Sequence, residues 1–285
     1  MPISSWRSGR RRSRRRHSEV TQTGSRAAAG ADVRTVPVCG LPVAVLDYGR
    51  AVELILGWAE DRETVYAVEA ANTHVAAQSR RDKEFSAAMD RFDLVCPDGM
   101  PLVWAANHQI PHEERMRDRV YGPTLMLRTI KASEKEPVRH FFLGGRESTL
   151  KKLEARFKEG CPDAVLAGAY SPPFGEWPEG EFERICDKIS ESGSNIIWVG
   201  LGCPKQEKWI GQHKDRLPPG VYLGVGAAFA FHAGEVRQAP PFLQRIGMEW
   251  FYRLLMEPRR LFRRYLVNNT LFIGYWLADT MKRND

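Results

Sequence analysis

Short apolar runs rich in β-branched residues recur from Val36 onward, and stretches with helical spacing of apolar positions separate them. The runs predict strands at Val36 to Leu46, Thr64 to Glu69, Leu94 to Cys96, His140 to Leu143, Ala164 to Tyr170, Asn195 to Gly200 and Val221 to Val225. Between them the spacing predicts helices at Tyr48 to Ala59, His74 to Phe92, Thr124 to Ala132, Ser148 to Lys158, Glu181 to Ser190 and Lys205 to Lys214. Strand and helix in regular alternation predict an α/β domain with a largely parallel sheet flanked by helices. No internal repeat is present.

After Pro240 the pattern changes. Ile246 to Met281 mixes Trp250, Phe251, Leu254, Leu255, Phe262, Leu266, Phe272 and Trp276 with Arg245, Arg253, Arg259, Arg260, Arg263 and Arg264. This predicts amphipathic helices, broken near Pro258, with an apolar and aromatic face beside a basic one. Such a face suits an anionic membrane surface, where rings sit at headgroup level and Arg meets lipid phosphate. A helical pair packed on the sheet with solvated arginines fits the same pattern. No stretch reaches the roughly 20 apolar residues that a spanning helix requires.

Charge divides the chain the same way. Residues 1–34 hold nine Arg against Glu19 and Asp32, which accounts for the whole net charge of +7. That segment has too little apolar surface to offset its ordering entropy, so it is expected to be a disordered, solvated tail; it also lacks the apolar core of a secretory signal. The sequence thus predicts three parts: an Arg-rich tail over 1–34, an α/β domain over 35–241 and a basic helical appendage over 242–285. The neutral body without a recognition motif argues against nucleic-acid binding. Cys39, Cys96, Cys161, Cys186 and Cys203 are scattered, form no C-x-x-C pair, and read as small buried hydrophobes in a reducing cytosol.

In parallel sheets, ligands gather at the carboxyl ends of strands. Three apolar runs end in glycine turns there: Gly144-Gly145, Gly200-Leu-Gly202 and Gly224-Val-Gly226. Such turns bring backbone N–H groups and a helix N-terminus toward a phosphate, but they are also what ordinary strand-to-helix turns look like. Cys96-Pro97-Asp98-Gly99 points a carboxylate over a strand end, where a general base is useful; an Asx-turn or helix cap explains it equally. Asn72 either orients a sugar or base through its amide or caps the helix that follows. Lys205 and Gln206 adjoin a glycine turn and can hold phosphate or ribose, whereas Glu207 is favourable at a helix start for dipole reasons alone. His108 and His112 are separated by Pro111 and read as surface residues, and no metal site is expected.

These segments, together with Asn72-Thr-His74, Arg119-Val-Tyr-Gly122, Phe141-Phe-Leu-Gly144-Gly145, Cys203-Pro-Lys205-Gln206-Glu207, Gly226-Ala-Ala-Phe229 and Gly247-Met-Glu249-Trp250 through Glu257-Pro258 to Tyr265, resemble the WecG/TagA/CpsF glycosyltransferases in order and spacing. The resemblance covers about residues 36 to 270. It implies a Rossmann-like domain and an inverting transfer from a UDP-sugar, with a hexose or N-acetylmannosamine-type sugar passing to a polyprenyl-diphosphate-linked acceptor. Surface polysaccharide or exopolysaccharide synthesis on the inner face of the plasma membrane follows from it. Asp98 is then the general base, Asn72 and Gln206 line the sugar or nucleotide pocket, Arg119 lies near the donor diphosphate, and Arg253, Arg260 and Arg263 belong to an appendage that closes over the site and meets the membrane.

The chain departs from that pattern at Ala70, where Thr is usual, at Pro123-Thr124, where an acid is usual, and at Ala230, where Asp is frequent; these positions bear on donor choice. No D-x-D occurs, so Arg side chains and helix N-termini are expected to hold the leaving diphosphate without a cofactor. A nucleotide-dependent oxidoreductase is the alternative, but it expects a complete G-x-G-x-x-G with an acid about 20 residues on, and none is present. The sequence does not state whether the chain is a homo-oligomer.

Overall fold

The computed structural model describes residues 33–240, 242–243 and 247–284, without the side chains of residues 260, 261, 264 and 284. The expected tail over 1–34 therefore lies almost wholly outside the described residues. Eight strands form one sheet: β1 (Thr35–Val38), β2 (Leu41–Ala44), β3 (Val65–Ala71), β4 (Leu94–Pro97), β5 (Arg139–Gly144), β6 (Val165–Tyr170), β7 (Ile196–Gly200) and β8 (Gly220–Gly224). Their spatial order is β1-β2-β4-β3-β8-β7-β5-β6, and every pair except β1/β2 is parallel.

The single strand expected over Val36 to Leu46 is instead a hairpin. Cys39 and Gly40 both take positive φ, 51° and 89°, as a tight two-residue turn requires, and the chain reverses there. Cys-Gly is not among the usual signals for such a turn, so the apolar run concealed it.

The helices are α1 (Tyr48–Glu60), α2 (Thr73–Arg81), α3 (Lys83–Met89), α4 (Met100–Asn107), α5 (Gly122–Ala132), α6 (Glu147–Gly160), α7 (Glu181–Ser192), α8 (Lys205–His213), α9 (Ala228–His232), α10 (Glu249–Met256) and α11 (Pro258–Asn284). The one helix expected over His74 to Phe92 is two, because Asp82 leaves helical geometry and its carboxylate accepts from the N–H groups of Glu84 and Phe85 at 3.0 and 3.1 Å. Helix α4, not expected from the pattern, follows the Pro-Asp-Gly turn and is apolar nearly all round.

Adjacent strand residues enter opposite layers, as the two-residue period dictates. Val95, Phe141, Leu143, Val199 and Tyr222 join the core formed with α2, α3, α4, α7 and α8; Cys96, Phe142, Trp198 and Leu223 join the core formed with α1, α5, α6 and α9. Both faces of the sheet are thus buried, which the near-continuous apolar runs required. After β3 the chain turns into α2 on the first face, whereas after the neighbouring β8 it turns into α9 on the second. The loops diverge there, and open α/β sheets bind ligands in the crevice outside such a switch point, which here is the carboxyl end of β3, β4 and β8. The far half of α11 lies across α2: Thr73 Oγ1 donates to Asn269 Oδ1 at 2.7 Å, and Arg80 pairs with Asp279 at 3.1 Å.

Candidate active site

Strand β4 carries Asp98 to the mouth of this crevice. The four strand residues are buried, and the Asp98 N–H donates to the Ala71 carbonyl at 2.8 Å, so the backbone leaves no freedom in where the carboxylate emerges. The chain then returns beside it, with the Val120 N–H on the Pro97 carbonyl at 2.8 Å. Asp98 Oδ1 accepts from the N–H of Gly122, the first residue of α5, at 2.6 Å. Among the described residues no donor meets Oδ2. Burial pushes the Asp98 carboxyl up to about 6, partly offset by Arg119, the Gly122 N–H and Arg253, and assisted by Glu249.

Arg119 is 7% exposed. Its Nη2 pairs with Glu249 Oε2, its Nη1 donates to the Asp98 carbonyl at 3.4 Å, and its guanidinium lies 4.3 Å over the Tyr121 ring. The Tyr121 hydroxyl donates to Glu249 Oε1 at 2.5 Å, and the Tyr121 N–H donates to the Tyr48 hydroxyl at 3.0 Å. One helical turn beyond Glu249, the Arg253 guanidinium sits 5.2 Å over the Phe231 ring. Asn72 adjoins this cluster across Gly99 and caps α2, its Oδ1 accepting from the His74 and Val75 N–H groups at 3.0 and 3.4 Å.

The glycine loops form the opposite wall. Gly200 is obligatory in this packing, since an added Cβ would stand 2.6 Å from the Phe229 ring; around Gly202, by contrast, space is open. Gly144 and Gly145, at the end of β5, pack against Gly200 and Phe229. Gln206 is buried and ties the loops together: its Oε1 accepts from the Gly202 and Gly226 N–H groups at 3.2 and 3.1 Å, and its Nε2 donates to Glu69 at 3.4 Å and Glu207 at 3.3 Å. Lys205 turns away to the loop after β6, where it donates to the Gly175 carbonyl at 3.1 Å and covers the Trp177 ring at 4.2 Å.

Beneath Gln206, Glu69 and Glu207 are both fully buried. Burial and the neighbouring carboxylate raise Glu69 well above the ordinary carboxylate range, and burial raises Glu207. Two buried carboxyls this close titrate as a pair, and burial favours their protonated form.

The fold thus brings Asn72, Asp98, Arg119 and Arg253 together at the end of β4 and sets Gly144, Gly145, Gly200, Gly202 and Gln206 opposite them; Glu207 is buried beneath Gln206, and Lys205 points away. Arg263 is exposed on α11, and the side chain of Arg260 lies outside the described residues. Sequence reasoning gave no role to Tyr121, Glu249 or Glu69. Glu69 carried a usable signal, an acid inside an otherwise apolar central strand. Glu249 carried none beyond its presence in an aromatic and basic segment, because its partners lie 128 and 130 positions away.

The described site is thus a buried carboxylate at the carboxyl end of β4 with guanidinium groups beside it. The chain belongs to the glycosyl transferase WecG/TagA/CpsF family, whose model matches residues 36–285. It is similar to the N-acetylglucosaminyldiphosphoundecaprenol N-acetyl-beta-D-mannosaminyltransferases of Bacillus subtilis and Bacillus spizizenii. The first is 24% identical over 200 residues, which is 70% of this chain and 75% of the relative. The second is 28% identical over 196 residues, 69% and 73% of the two chains.

Proposed function

We propose that this glycosyltransferase moves a hexose or N-acetylmannosamine-type sugar from a UDP-sugar to an acceptor carried on a polyprenyl diphosphate, with inversion at the anomeric carbon, in the synthesis of a bacterial surface polysaccharide. The observation that carries the reading is the Asp98 carboxylate, held by the Gly122 N–H at 2.6 Å, with one oxygen left for a substrate and its basicity raised to about 6. In a single displacement the acceptor hydroxyl gives its proton to Asp98, its oxygen bonds to the anomeric carbon, and the bond from that carbon to the diphosphate oxygen breaks. The departing UDP carries new negative charge, which the Arg253 guanidinium would receive, since the Gly202 and Gly226 N–H groups are already taken by Gln206. The names of the two Bacillus relatives support the lipid-linked acceptor.

The helices support a location at the membrane. Among the described residues no helix is long and apolar enough to cross a membrane. Helices α10 and α11 nonetheless expose Trp250, Phe251, Leu255, Met256, Phe262 and Leu266 to solvent, close to Arg259 and Arg263. That face suits peripheral attachment to the cytoplasmic leaflet, where the acceptor head group would be presented to Asp98.

The test is transfer from a panel of radiolabelled UDP-sugars to polyprenyl-diphosphate-linked sugars in vesicles, beside Asp98→Asn. One donor consumed by the wild type, with transfer lost in a folded Asn variant, supports enzyme class and base together. Transfer that survives in Asp98→Asn removes the base from the mechanism.

A further inference from the structure

We propose that Glu249 is a positioning residue for the transfer reaction: through Arg119 and Tyr121 it fastens α10 to the segment beside Asp98, and so places the Arg253 guanidinium at the base. This rests on the reading of Asp98 as the base of a glycosyl transfer, and it identifies what completes that site.

The geometry at Glu249 is that of a lock. The residue is 5% exposed, and both of its oxygens are engaged, Oε1 by the Tyr121 hydroxyl and Oε2 by Arg119. A carboxylate withdrawn this far from water persists only when paired and hydrogen-bonded. Both partners come from the short segment that returns beside the end of β4 and enters α5 through Gly122, the residue whose N–H holds Asp98. Glu249 therefore grips the same stretch of chain that fixes the base.

Its other end is fastened as well. Gly247, at φ 72°, turns the chain into α10 while resting on Met100 and Trp104 of α4, and α4 begins directly after Asp98-Gly99. Two contacts, one with α4 directly after Asp98-Gly99 and one with the segment that enters α5 at Gly122, thus hold the start of α10.

What the lock positions is Arg253. Positions four apart share a helix face, so Glu249 and Arg253 point the same way. The Arg119 charge is already balanced by Glu249, with its remaining contacts on the Asp98 carbonyl and the Tyr121 ring. Arg253 differs: its buried Nε has no hydrogen-bond partner among the described residues. That nitrogen is a donor without a partner among the described residues, on a guanidinium that rests over Phe231 and acts on the Asp98 carboxyl, where a leaving diphosphate needs one. Arg119 on this view is a strut, and Arg253 is the cation that meets the substrate.

The experiment uses the full chain with the donor and lipid-linked acceptor that the wild type consumes, and compares Glu249→Gln, Glu249→Asp and Arg119→Lys. Circular dichroism and melting establish that each is folded. In Glu249→Gln, kcat is expected to fall by up to about a hundredfold, the cost of misplacing a reacting group by about an ångström, with a smaller change in the donor KM. Glu249→Asp should recover part of the loss. Limited proteolysis should cut between residues 240 and 257 faster in the Gln variant than in the wild type.

A second readout separates positioning from mere support. Asp98 faces Arg119, Tyr121, Glu249 and Arg253, with Glu69 below it, and Glu249 is one of the groups that hold its basicity up. Removing that charge should move the acid limb of the kcat/KM profile to lower pH. Wild-type kcat in Glu249→Gln, with an unmoved acid limb and unchanged proteolysis, overturns the proposal. So does a gain in activity, which would make Glu249 a competitor of the donor for Arg119. A wild type inactive with every donor and acceptor sinks the functional reading instead, and the proteolysis arm then still decides whether Glu249 holds α10.

Discussion

Asp98 owes its basicity to a balance that single residues can tip. Burial raises it, and the guanidinium groups of Arg119 and Arg253 with the Gly122 N–H restrain the rise. Asp98 is therefore ionised above about pH 6 and protonated below it, and on the proposed reading kcat/KM is expected to decline with falling pH through that value. A pH–rate profile checks this, and Asp98→Asn should cost about a hundredfold or more in kcat, the ordinary share of a general base. Glu69 makes a prediction of the opposite kind. Its carboxyl is raised in the folded chain, so the folded state keeps a proton that the unfolded state gives up near its ordinary value of about 4.3. The stability from that proton is full at low pH and is lost as pH rises. Glu69→Gln has no proton to lose, and it should raise the melting temperature more at pH 8 than at pH 5. Equal shifts at the two pH values would mean that Glu69 is ionised in the fold.

At the scale of elements, the close approach of the β5 and β7 loops over the Phe229 ring leaves no room at Gly200. Gly200→Ala should cost about 1–3 kcal/mol by overpacking, read by denaturant melts, and Phe229→Leu in the same chain should return part of it. Most elements were legible because a sheet buried on both faces writes itself as apolar runs, and the helices between them keep their period. The failures have local causes. The Cys39-Gly40 turn interrupts an apolar run without a turn-forming residue at its first position, and Asp82 breaks a helical pattern whose spacing continues through it. Helix α4 was missed because its apolar positions surround it and carry no period. Of the site, strand ends and glycine turns could be read locally, as with Asp98 and Gly202. The roles of Gln206 and Glu249 could not, since each is set by partners that only the folded chain brings near.

For the whole molecule, the charge runs sit at the two ends of the chain while the sheet and its crevice lie between. Removing residues 1–34 is expected to leave transfer largely intact, and loss of transfer in a folded truncated chain would give that segment a part in catalysis. Attachment to lipid should instead depend on the helices after Gly247. Leu266 and Leu277 are 58% and 49% exposed on α11, and Leu266→Glu with Leu277→Glu should reduce cosedimentation with anionic vesicles while the fold persists. Unchanged sedimentation would place the membrane contact elsewhere. The order of the chain adds a consequence of its own. The partners of Arg119 and Tyr121 lie 130 and 128 positions further on, and those of Thr73 and Arg80 lie 196 and 199 positions on. A ribosome making this protein exposes Asp98 long before it has produced the residues that fasten the segment beside it. On the proposed reading, chains interrupted in synthesis should be unable to spend nucleotide-activated sugar, and only a finished copy begins to work.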